Sequence, residues 1–189
     1  MKYLLTIPFL VLLLLFSCHK KSTKDEALSQ YFCIMDSFVP LAKNVKEVNS
    51  KVIPLAKSTF TSEIGTATPE EIELIKNQIE LVLSNISIAI IRIKEVEEIQ
   101  SNINLKEGII IYLEDVYKLY DDFLKFVIGV MENGIENYDQ KELDEGLDKL
   151  KKSLINLSQK QKKIQTQFFK EFGFNQTDFN IINERYSIY

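Results

Sequence analysis

The stretch Leu81–Ile93, LVLSNISIAIIRI, decides the fold. Its β-branched residues and local alternation would suit a strand. Read in steps of three and four, it instead belongs to a longer seam: Ile72, Ile75, Ile79, Val82, Ile86, Ala89, Ile93 and Val96. Only a helix brings residues so spaced onto one face. The seam continues on both sides of the ambiguous stretch without a break, so the helix reading wins. The stretch is also apolar beyond its seam, which predicts a helix buried on more than one side.

The same spacing recurs along the chain. Ile109, Leu113, Val116, Tyr120, Phe123, Val127 and Val130 form a second seam, and Leu143, Leu147, Leu150, Leu154, Leu157, Gln161, Ile164 and Phe168 a third. Upstream, Leu28, Phe32, Met35, Val39, Ala42, Val45, Val52 and Phe60 keep the period roughly, interrupted by Pro40 and Pro54. Those prolines predict either one long kinked helix or two shorter helices in line. The tetrapeptide PLAK occurs at both prolines, at residues 40–43 and 54–57, a spacing of two heptads.

Start and stop signals frame each seam. Thr23…Glu26, Thr68…Glu71, Asn104…Glu107 and Asp139…Glu142 each place a capping residue three positions before a glutamate. In that arrangement each side chain takes an orphan backbone N–H of the first helical turn. Pro69 stands at a first helical position, where its missing N–H costs nothing, and Tyr138 and Leu143 are spaced for a hydrophobic staple. Asn133-Gly134 and Phe172-Gly173 supply stops. The prediction is all-α: an antiparallel up-down-up-down bundle of four long helices over residues 23–172, with short loops near 61–67, 101–104 and 133–138. Residues 173–189 form a C-terminal tail or short helix packed on the bundle end, with Thr177 as its cap and Phe179, Ile182 and Tyr186 facing inward.

Composition narrows the function classes. The formal net charge of −4 argues against nucleic acid, which demands a basic surface. The single histidine, His19, lies outside every seam, so the Glu-x-x-His pairs of a carboxylate-bridged metal bundle cannot form. No nucleophile has a histidine partner, no glycine-rich phosphate loop occurs, and no carboxylate pair falls on a seam. No catalytic residue, metal or cofactor is therefore assigned. The lysines of the fourth segment, Lys149, Lys151, Lys152, Lys160, Lys162 and Lys163, follow an acidic opening and read as a solvated face complementing the helix dipole. Cys33 reads as a small buried apolar residue.

The beginning of the chain sets its placement. Leu4–Phe16 is about the length of a signal-peptide apolar core and too short to span a bilayer. It ends Leu15-Phe16-Ser17-Cys18 and switches at once to His19-Lys20-Lys21. This resembles the lipobox of bacterial lipoproteins: leucine third before the cut, a small residue before it, then cysteine. The resemblance covers residues 1–18 only, and Phe16 departs from it in size. It implies a signal peptide at 1–17, removal of that segment, and a diacylglycerol with further acylation, palmitate for example, on Cys18. Two or three acyl chains anchor a protein firmly without a transmembrane helix. Beyond the leader the chain has no run of about 18 apolar residues. Cys33 would then have no partner for an internal disulfide.

Residues 18–22 form the lipidated tether. So short a link reaches roughly 15 Å, which brings the first helix to the membrane, with Lys20, Lys21 and Lys24 able to face lipid headgroups. The 101–104 loop and the C-terminal tail would share that end, and Ile64, Ile135 and Tyr138 would meet a partner at the far end. The expectation is a non-catalytic, lipid-anchored protein of the bacterial cell envelope, at the outer membrane by analogy with lipoproteins lacking Asp after the cysteine. Its helical bundle, with coiled-coil-like packing, would bind a protein or an envelope component. The alternative is a periplasmic carrier that holds an acyl chain or other apolar ligand inside the bundle, for which the second segment and Phe123, Phe126 and Phe168 are suited.

Overall fold

A computed structural model describes residues 22–61, 68–133 and 140–186. Five helices account for nearly all of them, in the order α1 (Lys24–Thr61), α2 (Pro69–Lys94), α3 (Leu105–Asn133), α4 (Gln140–Glu171) and α5 (Gln176–Tyr186). No strand occurs among the described residues. The helices pack into a bundle in which α2 meets α1 and, most extensively, α3, while α4 meets α3 and α1. Leu81–Ile93 is therefore helical throughout.

The capping boxes at Thr23 and Thr68 form as their spacing predicts, and Asn104 supplies the cap half of a third. Thr23 and Glu26 exchange bonds, the Thr23 N–H donating to Glu26 Oε2 at 2.6 Å and the Glu26 N–H to Thr23 Oγ1 at 3.3 Å. Thr68 and Glu71 do the same at 3.1 and 3.2 Å. Asn104 Oδ1 accepts from the Glu107 N–H at 3.0 Å. Asp139, Glu142, Tyr138 and Leu143 lie outside the described residues or side chains.

The seams of α2, α3 and α4 supply the core. Ile75, Ile79, Val82, Ile86, Ala89 and Ile93 are buried, as are Ile109, Leu113, Val116, Tyr120, Phe123 and Val127. On α4, Leu150, Leu157, Gln161 and Phe168 are buried. On α1 the inward face is turned from the expected one: Ala27, Tyr31, Ile34, Met35 and Leu41 are buried, while Ala42 is exposed. The reason is that α1 is covered on two sides. Tyr31 enters the bundle and meets the Phe169 ring at 5.0 Å, whereas Phe32 turns to α5 and meets Tyr186 at 6.2 Å. The same turn places Cys33 on the outside, so the expectation of a buried thiol fails. Helix α1 is continuous through Pro40 and Pro54.

Two boundaries differ from expectation. The connection after α2 spans 95–104 rather than 101–104. Glu95, Glu97 and Glu98 crowd the carbonyl end of α2, where the helix dipole disfavours carboxylates. The cap of α5 is Asn175, not Thr177: Asn175 Oδ1 accepts from the Thr177 and Asp178 N–H groups at 2.9 and 3.3 Å, and Asp178 Oδ2 accepts from the Asn175 N–H at 2.7 Å. Asparagine with aspartate three positions later is a capping box in which the shorter acid replaces glutamate. Between α4 and α5 the chain reverses through Gly173 at φ 64°, a left-handed conformation that a Cβ would strain. The Phe174 N–H donates to Phe169 O at 3.0 Å and the Gly173 N–H to Lys170 O at 3.3 Å, while the Phe169 and Phe174 rings stack at 5.0 Å. This is a Schellman stop with its hydrophobic contact.

Helix α5 lies along the first half of α1 and is held at both ends by carboxylates. Lys24 Nζ donates to Asp178 Oδ2 at 2.9 Å. Arg185 grips Asp36 with two nitrogens, at 3.2 and 2.7 Å, and its guanidinium lies 4.7 Å from the centre of the Phe32 ring. The Tyr186 hydroxyl is within donating distance of Asp36 Oδ1 and Phe32 O, at 2.9 and 3.0 Å. The Arg185 bond holds the Asp36 carboxyl below its ordinary range, helped by Tyr186. The Asn175 N–H, then Lys24, does the same for Asp178. Burial, then the Asp36 bond, pushes the Tyr186 hydroxyl up.

These directions set a pH window. A lowered carboxyl stabilises the fold above its unfolded value, near 4, and loses that contribution as pH falls through its folded value. A raised tyrosine stabilises it below its unfolded value, near 10, and loses that contribution on further rise. Hydrogen exchange of residues 176–186 is therefore expected to be slowest between about pH 4 and 10, after correction for intrinsic rates. Asp36→Asn should blunt the acid limb. An unchanged acid limb in that variant would mean the clamp does not hold α5.

Candidate functional site

Two features stand apart from ordinary core: the outward face of α2 and a cavity inside the bundle. The first arises from the surplus apolar character of the second segment. Among the described residues eight large apolar side chains are exposed, and four of them, Leu74, Leu81, Ile88 and Ile91, lie on α2 at 51, 46, 44 and 60 %. With Asn77 and Ser84, both exposed, they make the series 74, 77, 81, 84, 88, 91, alternating steps of three and four. That series is a second seam on the side of α2 opposite the buried one. The prediction of burial on more than one side holds in part: among the described residues α2 packs against both α1 and α3, with Leu83 buried and Ile90 against the core, but the outward seam is exposed. No charged side chain interrupts the outward seam, although Glu70, Glu73 and Glu80 flank its first half and Arg92 and Lys94 its last turn. By length and composition α2 is also apolar enough to cross a membrane.

The second feature is a half-open cavity of about 250 Å³ with a floor at Ile86, walls including Phe38, Leu41, Tyr112 and Leu154, and Lys46 beside it. Lys46 is exposed. Phe38 and Tyr112 meet edge-on at 5.8 Å, and burial raises the Tyr112 hydroxyl above the ordinary tyrosine value. The volume is just under the range of small-molecule pockets, about 300–1,000 Å³. The three phenylalanines expected to serve an apolar ligand are elsewhere. Phe123 and Phe126 stack on each other at 6.2 Å and line a separate recess of about 180 Å³ beside Gly146. Phe168 is sealed among other rings.

Lys24 is described, and its charge is engaged by Asp178 with the side chain still 36 % exposed. Cys18, Lys20, Lys21, Ile64, Ile135 and Tyr138 lie outside the described residues. The end of the molecule that carries Ser22 is tied together by polar contacts. Ser22 Oγ accepts from the Gln100 N–H at 2.9 Å, Gln30 Nε2 donates to Glu97 O at 2.9 Å, and Lys106 Nζ donates to Val96 O at 2.7 Å. Glu171, at the end of α4, accepts from the Asn102 and Ile103 N–H groups at 2.8 and 3.0 Å and from Ser101 Oγ at 2.8 Å. Neither the loop clamp nor the cavity was visible in the sequence, because both join residues from elements far apart in the chain. The α2 seam was visible as excess apolarity, though its exposure was not. Among the described residues no group of His, Cys, Asp and Glu could hold a metal ion. Comparison with protein families, with curated proteins and with solved structures finds no match for this chain.

Proposed function

We propose that the chain is a non-catalytic, lipid-anchored protein of a bacterial cell envelope that binds another protein through the outward face of α2. Its four long helices run up-down-up-down, with Cys18 carrying the lipid and the outer membrane as the favoured site. The observation that carries the binding function is the outward seam. Leu74 to Ile91 spans about 26 Å of helix, and a row of four exposed apolar side chains on one face, joined by uncharged Asn77 and Ser84, is the kind of surface that marks an interaction site. The anchor rests on the lipobox resemblance at 1–18, supported by the few residues between Cys18 and the start of α1.

Two results test this reading. The full chain made in a bacterial host should incorporate labelled palmitate and sediment with membranes, and Cys18→Ala should abolish both; labelling that survives the substitution would remove the anchor. A photoreactive amino acid at Ser84 should give a protein adduct in intact cells, and Leu81→Glu should erase it. Illumination without any adduct would remove the binding face.

The cavity favours a second reading, a carrier for an acyl chain or other apolar ligand. Ala42, on its wall, provides the test. Ala42→Leu should raise stability by about 1 kcal/mol in the lipid-free protein, as cavity filling commonly does, and should exclude a copurifying lipid detected by native mass spectrometry. A wild-type protein that purifies free of lipid would end the carrier reading.

A further inference from the structure

We propose that the outward face of α2 takes a second copy of this chain, the two α2 helices packing antiparallel about a two-fold axis that passes between Val82 and Leu83. The inference rests on the binding face proposed above and names its occupant.

The first support is the symmetry of the seam. A two-fold axis at that point pairs Leu74 with the partner's Ile91, Asn77 with its Ile88, and Leu81 with its Ser84. Every seam position then meets a seam position, and each layer contains at least one exposed apolar side chain. An isologous contact needs such self-complementarity. The heptad spacing 74, 81, 88 and 77, 84, 91 is that of a short coiled-coil stripe.

The second support is charge. Flanking the seam, α2 carries Glu71, Glu73 and Glu80 in its first half and Arg92 and Lys94 in its last turn, while Glu70 and the capping Glu95 stand just beyond the two ends of the stripe and face each other across the pair. In the antiparallel register Glu73 faces the partner's Lys94 on one flank and Glu71 faces the partner's Arg92 on the other, each twice by symmetry. A parallel pair would set the acidic ends against each other and align the two dipoles. In the single chain these groups make only loose or shared contacts. Glu73 lies 3.4 Å from Lys76, Lys94 lies 3.7 Å from Glu114 with both over half exposed, and one oxygen of Glu71 serves the cap of α2. The same carboxylates argue against a bilayer as occupant, since anionic headgroups would meet Glu70, Glu73 and Glu80 beside the seam. In the dimer the two Ser22 ends lie at opposite ends of the paired helices, so a dimer anchored in one bilayer lies along its surface.

The test is disulfide trapping of the full chain in native membranes. The parent carries Cys33→Ser, because Cys33 is exposed. Glu73→Cys/Lys94→Cys is expected to give a species of twice the chain mass under mild oxidation, while Glu73→Cys alone and the parent give none. Trapping by Glu73→Cys alone would show that residue 73 meets its own copy, which the antiparallel register forbids, and would overturn the proposal. Absence of the dimer from the double variant would also overturn it. Sedimentation of the detergent-solubilised full chain guards against local failure of the cysteine variants. Glu73→Lys should weaken dimerisation by about tenfold and Glu73→Lys/Lys94→Glu should restore it; a charge-insensitive or monomeric chain would overturn the proposal. If Ser84 photoadducts contain only a different protein, the binding face stands and its assignment to a second copy falls. Adducts to lipid alone would remove both.

Discussion

Phe168→Ala is expected to cost about 4 kcal/mol of unfolding free energy, near the middle of the range for a buried phenylalanine. Phe168 is fully buried. Its ring lies 5.0 Å from that of Phe172, 6.2 Å from Phe174 and 6.4 Å from Phe169. Phe169 in turn meets Tyr31 on α1 and Phe179 on α5 at 5.0 and 5.3 Å. The ring is thus one node of an aromatic network joining α4, α5 and α1. These rings are tied through Phe169 to α1 and α5, so the space left by truncation closes only in part, and the cavity adds to the lost transfer energy. Chemical denaturation should show a lower midpoint with an unchanged slope, and the melting temperature should fall by roughly 10 °C for a chain of this size. Phe168→Leu keeps much of the volume and should lose clearly less. A loss below about 1.5 kcal/mol for alanine would mean that this end of the bundle is loosely packed.

Glu171→Ala should produce the second largest effect, about 2 kcal/mol, with a different signature. One carboxylate accepts from two backbone N–H groups, the Ser101 hydroxyl and the Asn102 amide, the last at 3.0 Å. Bonds to a charged acceptor contribute more than neutral ones, and removing the acceptor orphans several donors together. The Asn102 N–H is exposed and can turn to water, and the Ile103 N–H keeps Ser101 Oγ at 3.0 Å, which limits the loss. The expected mark is local. Exchange of amides 101–103 should accelerate more than the change in global stability requires, because the 95–104 connection is released before the helices part. Glu171→Gln keeps one acceptor oxygen and should fall between wild type and alanine. Equal acceleration throughout the chain would show that the clamp has no local role.

The outcome at particular residues shows what periodicity can and cannot decide. The core positions of α2 and α3 follow from spacing alone, since burial of a continuous apolar face needs no knowledge of the neighbour. On α1 the same rule misplaces the seam by about one residue. Tyr31 and Phe32 are adjacent aromatics of similar apolarity, and which one enters the bundle depends on α5 being present to cover the other. Cys33 is turned outward for the same reason. The candidate surfaces divide likewise. Surplus apolarity in Leu81–Ile93 was evident, but one chain cannot say whether a third helix covers it.

By itself the sequence determined the helical class, the caps at Thr23, Thr68 and Asn104, and the inward faces of α2 and α3, because these depend on contacts within a few residues or on one repeating period. The resemblance at residues 1–18 is also wholly local. Only the tertiary structure decided which side of α1 turns inward, that Glu171 clamps the 95–104 connection, that Asp36 and Asp178 hold α5, and that one apolar face of α2 has no neighbour among the described residues. Each of these joins residues far apart in sequence, and their pairing is fixed by how helices share a limited interior rather than by any signal in a single segment.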